Sequence, residues 1–462
     1  MASLSQISFQ FANLAAIARG TRWIVQGTNQ LGRIADKLRG FATSEDSLVR
    51  VFRNGAWLFS AKGFGAFAGL FYLGAVTRSL GPAGFGQFIL IVSTVQILAA
   101  TIKLQTWQTV VHFGAPALAS NDRPGFSRMV WGDLVVEAAG SAIAFTLLFL
   151  FAEPIAIRMG WHPDLAHDLL IYGLIVFLSM RSTSTGVLRA CDRFRDAAIG
   201  DAAIPMTRFI GAIVVLATGA NVMGFLIVWG LSELASSLVQ LWLVWRAKLV
   251  GRPGPKQTQL GYWTFLFATN ASYLLSVLRE RGAVLVVGLF VGEAAAGLFR
   301  LADQLASSVN RLTEIFSRPM FTEMSRLYGN GEHERSRDLF FRSLRISAIT
   351  GAVMLVVMVA LGRPLIWAMS GEIFLPAYPL LLILGASTII GLASLGLEPL
   401  LQAAGRAFAA FLARLAGLAA IGVGIAVWLE PFGVAGASWA MLAGAVTTLL
   451  AFLWISIGLM RR

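Results

Sequence analysis

The sequence predicts an all-α integral membrane protein, with twelve transmembrane helices in two six-helix lobes related by a parallel duplication. Three observations predict this. Of 462 residues, 57% are hydrophobic and only 13% charged, whereas soluble domains carry about 25% charged residues. The apolar residues gather into stretches long enough to cross about 30 Å of hydrocarbon. One glycine-rich loop also recurs at equivalent places in the two halves. A water-soluble, disordered or disulfide-framed chain is excluded, and the single cysteine, Cys191, cannot form an internal disulfide. The 47 glycines suit membrane helices whose backbones approach closely.

Residues 1–50 show no apolar core long enough for a cleavable signal peptide. They read as a cytoplasmic amphipathic segment. Leu14, Ile17, Thr21, Ile24, Leu31 and Leu38 recur at helical spacing, with Arg19, Arg22, Arg33 and Lys37 mostly off that stripe. Such a helix rests in the headgroup layer. The N-lobe, residues 51–246, holds spans at about 55–77, 84–110, 128–151, 166–190, 200–218 and 221–246. Residues 247–261, with Gly251-Arg252-Pro253-Gly254-Pro255-Lys256, read as an inter-lobe cytoplasmic linker. The C-lobe, residues 262–462, holds spans at about 262–290, 293–318, 341–361, 374–398, 407–428 and 433–458.

Charge fixes the expected topology. An even number of spans puts both termini on one side. That side carries 25 basic residues and the other carries 3, namely Arg78, Arg158 and Arg363. The positive-inside rule therefore places both termini in the cytoplasm. Most of the net charge of +13 is then a topology signal, and nucleic acid is not needed to explain it.

Nine basic residues fall within spans: Lys62, Lys103, Arg181, Arg208, Arg279, Arg281, Arg300, Arg311 and Arg414. Each costs at least about 2.5 kcal/mol at a helix centre, so such groups face protein or a watery cavity. Lys103, Arg208, Arg311 and Arg414 also lie near enough to an interface to snorkel.

The repeated loop aligns without gaps at an offset of 211. Leu80-Gly81-Pro82-Ala83-Gly84-Phe85-Gly86-Gln87-Phe88 follows span one, and Val291-Gly292-Glu293-Ala294-Ala295-Ala296-Gly297-Leu298-Phe299 follows span seven. Equal orientation of the two sets makes the duplication parallel.

Span eight has one polar face along its length: Arg300, Asp303, Gln304, Ser307, Asn310, Arg311, Glu314 and Ser317. At the offset, Ser93, Gln96, Lys103 and Thr106 continue that face in span two. Span seven has a similar face with Tyr273, Ser276, Arg279 and Glu280, and Lys62 of span one is the counterpart of Tyr273. Arg281 lies two residues from Arg279 and is expected to face elsewhere. The predicted cavity thus gathers Lys62, Lys103, Arg279, Arg300 and Arg311 against Glu280, Asp303 and Glu314, a net +2. Arginine in a low-dielectric cavity suits phosphate oxygens. The candidate substrate-binding residues are those five cations. Gln96, Tyr273, Glu280, Asp303, Gln304 and Glu314 are the polar and coupling candidates. No catalytic or metal site is expected, and His112, His162, His167 and His333 are scattered without metal spacing.

Arg78-Ser79-Leu80-Gly81-Pro82-Ala83-Gly84-Phe85-Gly86-Gln87-Phe88, then Leu104-Gln105-Thr106-Trp107-Gln108, resemble the bacterial oligosaccharide flippases of the multidrug/oligosaccharidyl-lipid/polysaccharide exporter superfamily. Ser317-Arg318-Pro319 through Arg326-Leu327-Tyr328 resembles the same superfamily after span eight. The resemblance covers residues of about 50–460. It implies two lobes set as a V around a central cavity lined by spans one, two, seven and eight. It also implies a substrate: oligosaccharide on undecaprenyl pyrophosphate, flipped from the cytoplasmic to the periplasmic leaflet of the bacterial inner membrane by alternating access. Coupling to a proton or sodium gradient belongs to the same implication, with no cofactor. Membrane lipids and other polysaccharide-assembly proteins are the expected neighbours of a monomer.

Three other readings compete. A multidrug exporter of the superfamily would want carboxylates to dominate the cavity. A peptidoglycan-precursor flippase would usually have fourteen spans. A polysaccharide polymerase or ligase would need a sizeable periplasmic loop, and the longest here are about a dozen residues, near Ala152–Leu165 and Gly362–Ile373.

Overall fold

A computed structural model describes residues 47–161, 164–254, 260–308, 333–393 and 406–460, with 397 and 401. Most of the expected amphipathic segment, residues 1–46, lies outside the described residues, as do Arg311 and Glu314. The chain divides into two units, Met1–Phe64 and Gly65–Arg462. Of the first, residues 47–64 are described, as helix.

Helix is the only repetitive structure among the described residues. In lipid a helix satisfies its own backbone, so apolar sequence of this length has little alternative. The helices are α1 Ser47–Ile102, α2 Trp107–Ala119, α3 Arg123–Arg158, α4 Asp164–Leu178, α5 Ser182–Ala190, α6 Phe194–Thr218 and α7 Val222–Arg246. They continue with α8 Tyr262–Val277, a π turn at Leu278–Gly282, α9 Ala283–Phe290 and α10, residues 293–308. The last four are α11 His333–Ser370, α12 Ala377–Ala393, α13 Ala407–Phe432 and α14 Val434–Met460. Among the described residues, eight helices are long and apolar enough to cross a membrane. Phe149, Ile157, Trp245 and Trp454 are among many large apolar side chains on the outside, where lipid is the solvent.

Local chemistry sets several ends. Asp122 caps α3 by accepting from Gly125 N at 2.8 Å, with Pro124 in the first turn. Asn221 caps α7 by accepting from Gly224 N at 2.6 Å. The run Gly65–Ala119 is 55 residues long. It is broken twice, at Gly81, where φ is 66°, and at residues 103–106.

The repeated loops meet each other. Gly81 and its counterpart Gly292 both adopt positive φ, 66° and 106°, which glycine tolerates without a Cβ penalty. A Cβ on Gly86 would lie 1.8 Å from Glu293 O, and a Cβ on Gly297 would lie 2.3 Å from Pro82 O. These contacts are reciprocal, because Gly297 is the counterpart of Gly86 and Glu293 that of Pro82. Gln87 Nε2 donates to Glu293 Oε2 at 2.8 Å across the same seam. Beside it, Arg78 donates to Met369 O at 3.0 Å and Ala368 O at 2.6 Å, the free carbonyls ending α11. Thr77 and Ser370 hydroxyls meet at 2.9 Å.

The start of the expected linker lies on α3. Gly254 N donates to Pro124 O at 3.0 Å and Gly251 N to Ser127 Oγ at 2.9 Å. The start of α8 docks on α2 and α3. His112 stacks on Phe265 at 4.4 Å, and the Tyr262 hydroxyl donates to Asp133.

Candidate functional site

The span Leu165–Ala190 is not one helix. It breaks at residues 179–181, between α4 and α5. A break inside a span leaves backbone groups without helical partners, and the buried ones among them need a partner from elsewhere. Lys103 Nζ donates to Ser179 O. The Glu137 carboxylate accepts Ser182 N and Thr183 N, each at 3.0 Å, and the Thr183 hydroxyl at 2.7 Å. Glu137 thereby caps α5, and its charge suits that positive helix end. The break at residues 103–106 abuts this one. Trp107 N donates to Ser182 Oγ at 3.0 Å, and Thr106 and Thr183 hydroxyls meet at 2.8 Å. Two broken spans therefore brace each other.

A cavity of about 540 Å³ opens beside the breaks. Hydroxyls and amides from Gln96, Gln105, Ser182, Thr185 and Ser276 share its wall with Trp107, Tyr172 and Tyr273. Four cations line it, Lys103, Arg181, Arg189 and Arg281, against four carboxylates, Glu137, Asp201, Glu233 and Glu280. Among the described residues the wall is balanced; the side chains of Lys62, Arg311 and Glu314, three of the eight charges behind the expected excess of +2, lie outside what is described. Carboxylates of α3 and α7 turn inward to meet basic groups, and that of α6 meets the Gln240 amide. Each carboxylate is engaged. Lys103 Nζ lies 3.9 Å from Glu137, and Gln240 Nε2 donates to Asp201 at 3.1 Å. Glu233 pairs with Arg181 at 3.3 Å and Arg208 at 3.1 Å. Arg208 also lies 3.5 Å from the centre of the Trp229 ring, so it is held within the protein and does not snorkel. Glu280 pairs with Arg281 at 3.6 Å and Arg300 at 3.5 Å.

Of the residues singled out in the sequence, Gln96, Lys103, Tyr273 and Glu280 line this cavity. Arg300 is buried behind Glu280 and donates to Asp303 at 2.7 Å. Gln304 is half-buried and outside the lining. Lys62 falls on α1, and its side chain lies outside what is described. Arg279 and Arg281 exchange their expected roles. Arg279 is exposed and outside the lining, whereas Arg281 is buried and lines it. The π turn at Leu278–Gly282 is the cause. It turns less per residue than an α-helix, which carries Arg281 towards the line of Tyr273 and Arg279 away.

Glu137, Arg181, Glu233, Asp201 and Tyr172 are site residues the periodicity argument missed. The signal for three of them was available, since an ionisable residue inside a span marks a functional position. Glu137 and Glu233 each stand in an otherwise apolar stretch, and Arg181 was already among the intramembrane cations.

The family described as polysaccharide biosynthesis protein matches residues 75–379. The inner membrane protein YghQ of Escherichia coli K12 is 27% identical over 344 residues, which cover 72% of this chain and 95% of that protein. Among solved structures, the lipid II flippase MurJ in an inward closed conformation superposes with a TM-score of 0.67 at 14% identity, over 86% of this chain and 87% of that one. An inward-facing multidrug resistance MATE transporter of the MOP superfamily gives 0.66 at 15% identity, over 86% and 94%. At such identities the likeness is one of fold.

Proposed function

The chain belongs to the polysaccharide biosynthesis protein family, and from that premise we propose that it flips oligosaccharide linked to undecaprenyl pyrophosphate from the cytoplasmic to the periplasmic leaflet. The observation that carries this reading is the cavity wall. One buried guanidinium, Arg281, and two half-buried ones, Arg181 and Arg189, all suited to phosphate oxygens, stand among hydroxyls, amides and aromatic rings suited to sugar. The fold it shares with transporters agrees with a carrier, and the name of its inner-membrane relative agrees with that membrane.

Twelve spans in two six-helix lobes form part of the same proposal. Its support is the reciprocal seam of Gly86 and Gly297 and the shared positive φ of Gly81 and Gly292. Alternating access would open that seam while the opposite side closes, driven by a proton or sodium gradient. The basic-residue bias supports cytoplasmic termini.

Deletion of the gene is expected to remove surface polysaccharide and to trap lipid-linked oligosaccharide in the cytoplasmic leaflet. Labelling of the glycan in intact and permeabilised cells checks this. If the deletion leaves surface glycan intact but raises sensitivity to cationic drugs, a drug exporter is the right reading. Among the described residues the wall has no excess of carboxylates, which a cationic substrate would want.

A further inference from the structure

We propose, resting on the flippase reading above, that Glu280 is a built-in occupant of the anion site: its carboxylate holds Arg281 and Arg300 until a diphosphate displaces it.

One oxygen, Glu280 Oε1, faces both guanidinium groups, 3.6 Å from Arg281 Nη2 and 3.5 Å from Arg300 Nη2. A charge-assisted hydrogen bond is about 2.7–2.9 Å long. The contact is therefore electrostatic and loose. Exposure is lopsided. The Glu280 side chain is 58% exposed, against 9% for Arg281 and 6% for Arg300. The carboxylate can swing into water at small cost, and the guanidinium groups cannot follow. Arg300 is further braced by Asp303 at 2.7 Å.

The arginines are incompletely satisfied. Among the described residues, Arg281 Nη1 and Tyr172 Oη are buried and have no hydrogen-bond partner. Both residues line the cavity, Arg281 from the π turn and Tyr172 from α4. Buried donors of this kind are rare in folded proteins and call for a partner. Glu280 cannot be that partner while it stands between two Nη2 groups. A diphosphate has enough oxygens and charge to take the Nη2 positions, and Arg281 Nη1 and Tyr172 Oη, which have almost no accessible surface while Glu280 is in place, come within its reach once the carboxylate has swung out. It wins the exchange by charge and by bond count. The freed Glu280 then stands beside the anion and repels it, so its return promotes release. Binding is weaker for Glu280, but turnover depends on it.

The test uses the full chain in lipid nanodiscs at fixed ionic strength. Inorganic pyrophosphate and farnesyl pyrophosphate are titrated separately, with calorimetry as the readout. Glu280→Gln, and as a second variant Glu280→Ala, should tighten both ligands by about tenfold, since an ion-pair competitor is removed. Arg281→Gln should abolish binding, and Tyr172→Phe should weaken it in both backgrounds. In cells, Glu280→Gln should lower surface polysaccharide output despite the tighter binding. Thermal unfolding within a few degrees of the parent shows that each variant folds. If both Glu280 variants bind like the parent while Arg281→Gln abolishes binding, the built-in occupant is wrong and the anion site stands. If Arg281→Gln also changes nothing, the anion reading of the cavity falls as well. Binding of inorganic but not farnesyl pyrophosphate would point to a free anion and sink the lipid-linked substrate.

Discussion

Glu137→Ala is expected to destabilise the protein by about 3–5 kcal/mol, the usual cost of breaking a buried ion pair by removing one partner. The carboxylate is fully buried. Its loss would strand the Ser182 and Thr183 amides at the start of α5, both buried or half-buried at a break in a membrane span. It would also leave the Lys103 ammonium without its nearest described carboxylate, on the Ser179 carbonyl. Removing both charges together, with Lys103→Met and Glu137→Gln, should recover part of the loss, because an uncompensated buried charge costs more than a missing pair. Thermal unfolding in detergent, with membrane expression level as a second readout, checks both variants. If Lys103 served mainly to contact substrate, Lys103→Met alone would leave the melting temperature unchanged and weaken ligand binding. The bracing role predicts a lowered melting temperature.

Gly86→Ala and Gly297→Ala are each expected to abolish transport. A Cβ at Gly86 would sit 1.8 Å from Glu293 O and 2.5 Å from Glu293 C. A Cβ at Gly297 would sit 2.3 Å from Pro82 O and 3.1 Å from Gly86 N. All four are backbone atoms, so no side chain can rotate aside. Overpacking of this kind costs about 1–3 kcal/mol or more, and here it would push the two loops apart. Because the contacts are reciprocal, the two variants should resemble each other. Gly69→Ala is the control. Nothing lies within 4 Å of its added methyl, and Gly69 is helical, so transport should be unchanged. A Gly86→Ala protein that restores surface polysaccharide to a deletion strain would show that transport does not need this close approach of the two loops.

Much of this protein was legible in its residues. Composition alone required lipid as the solvent and helix as the backbone solution, because only internally hydrogen-bonded segments survive there. The loop repeat at an offset of 211 picked out Gly81, Gly86, Gly292 and Gly297, the residues that the structure gives positive φ or backbone contact. Periodicity put Gln96, Lys103, Tyr273 and Glu280 on one side of their helices, and all four reach the cavity. That works because a regular helix carries its phase along the chain. Where the helix is irregular, phase is lost, and only the tertiary structure decides. The π turn exchanged Arg279 for Arg281. The break at residues 179–181 made Lys103 a brace, through a carbonyl that lies 76 residues away in sequence. Glu137, Glu233 and Asp201 came to the wall because neighbouring helices presented cations and amides to them. A helix pattern says which residues share a face. Which face meets a partner depends on the helices packed against it, and no local period records that.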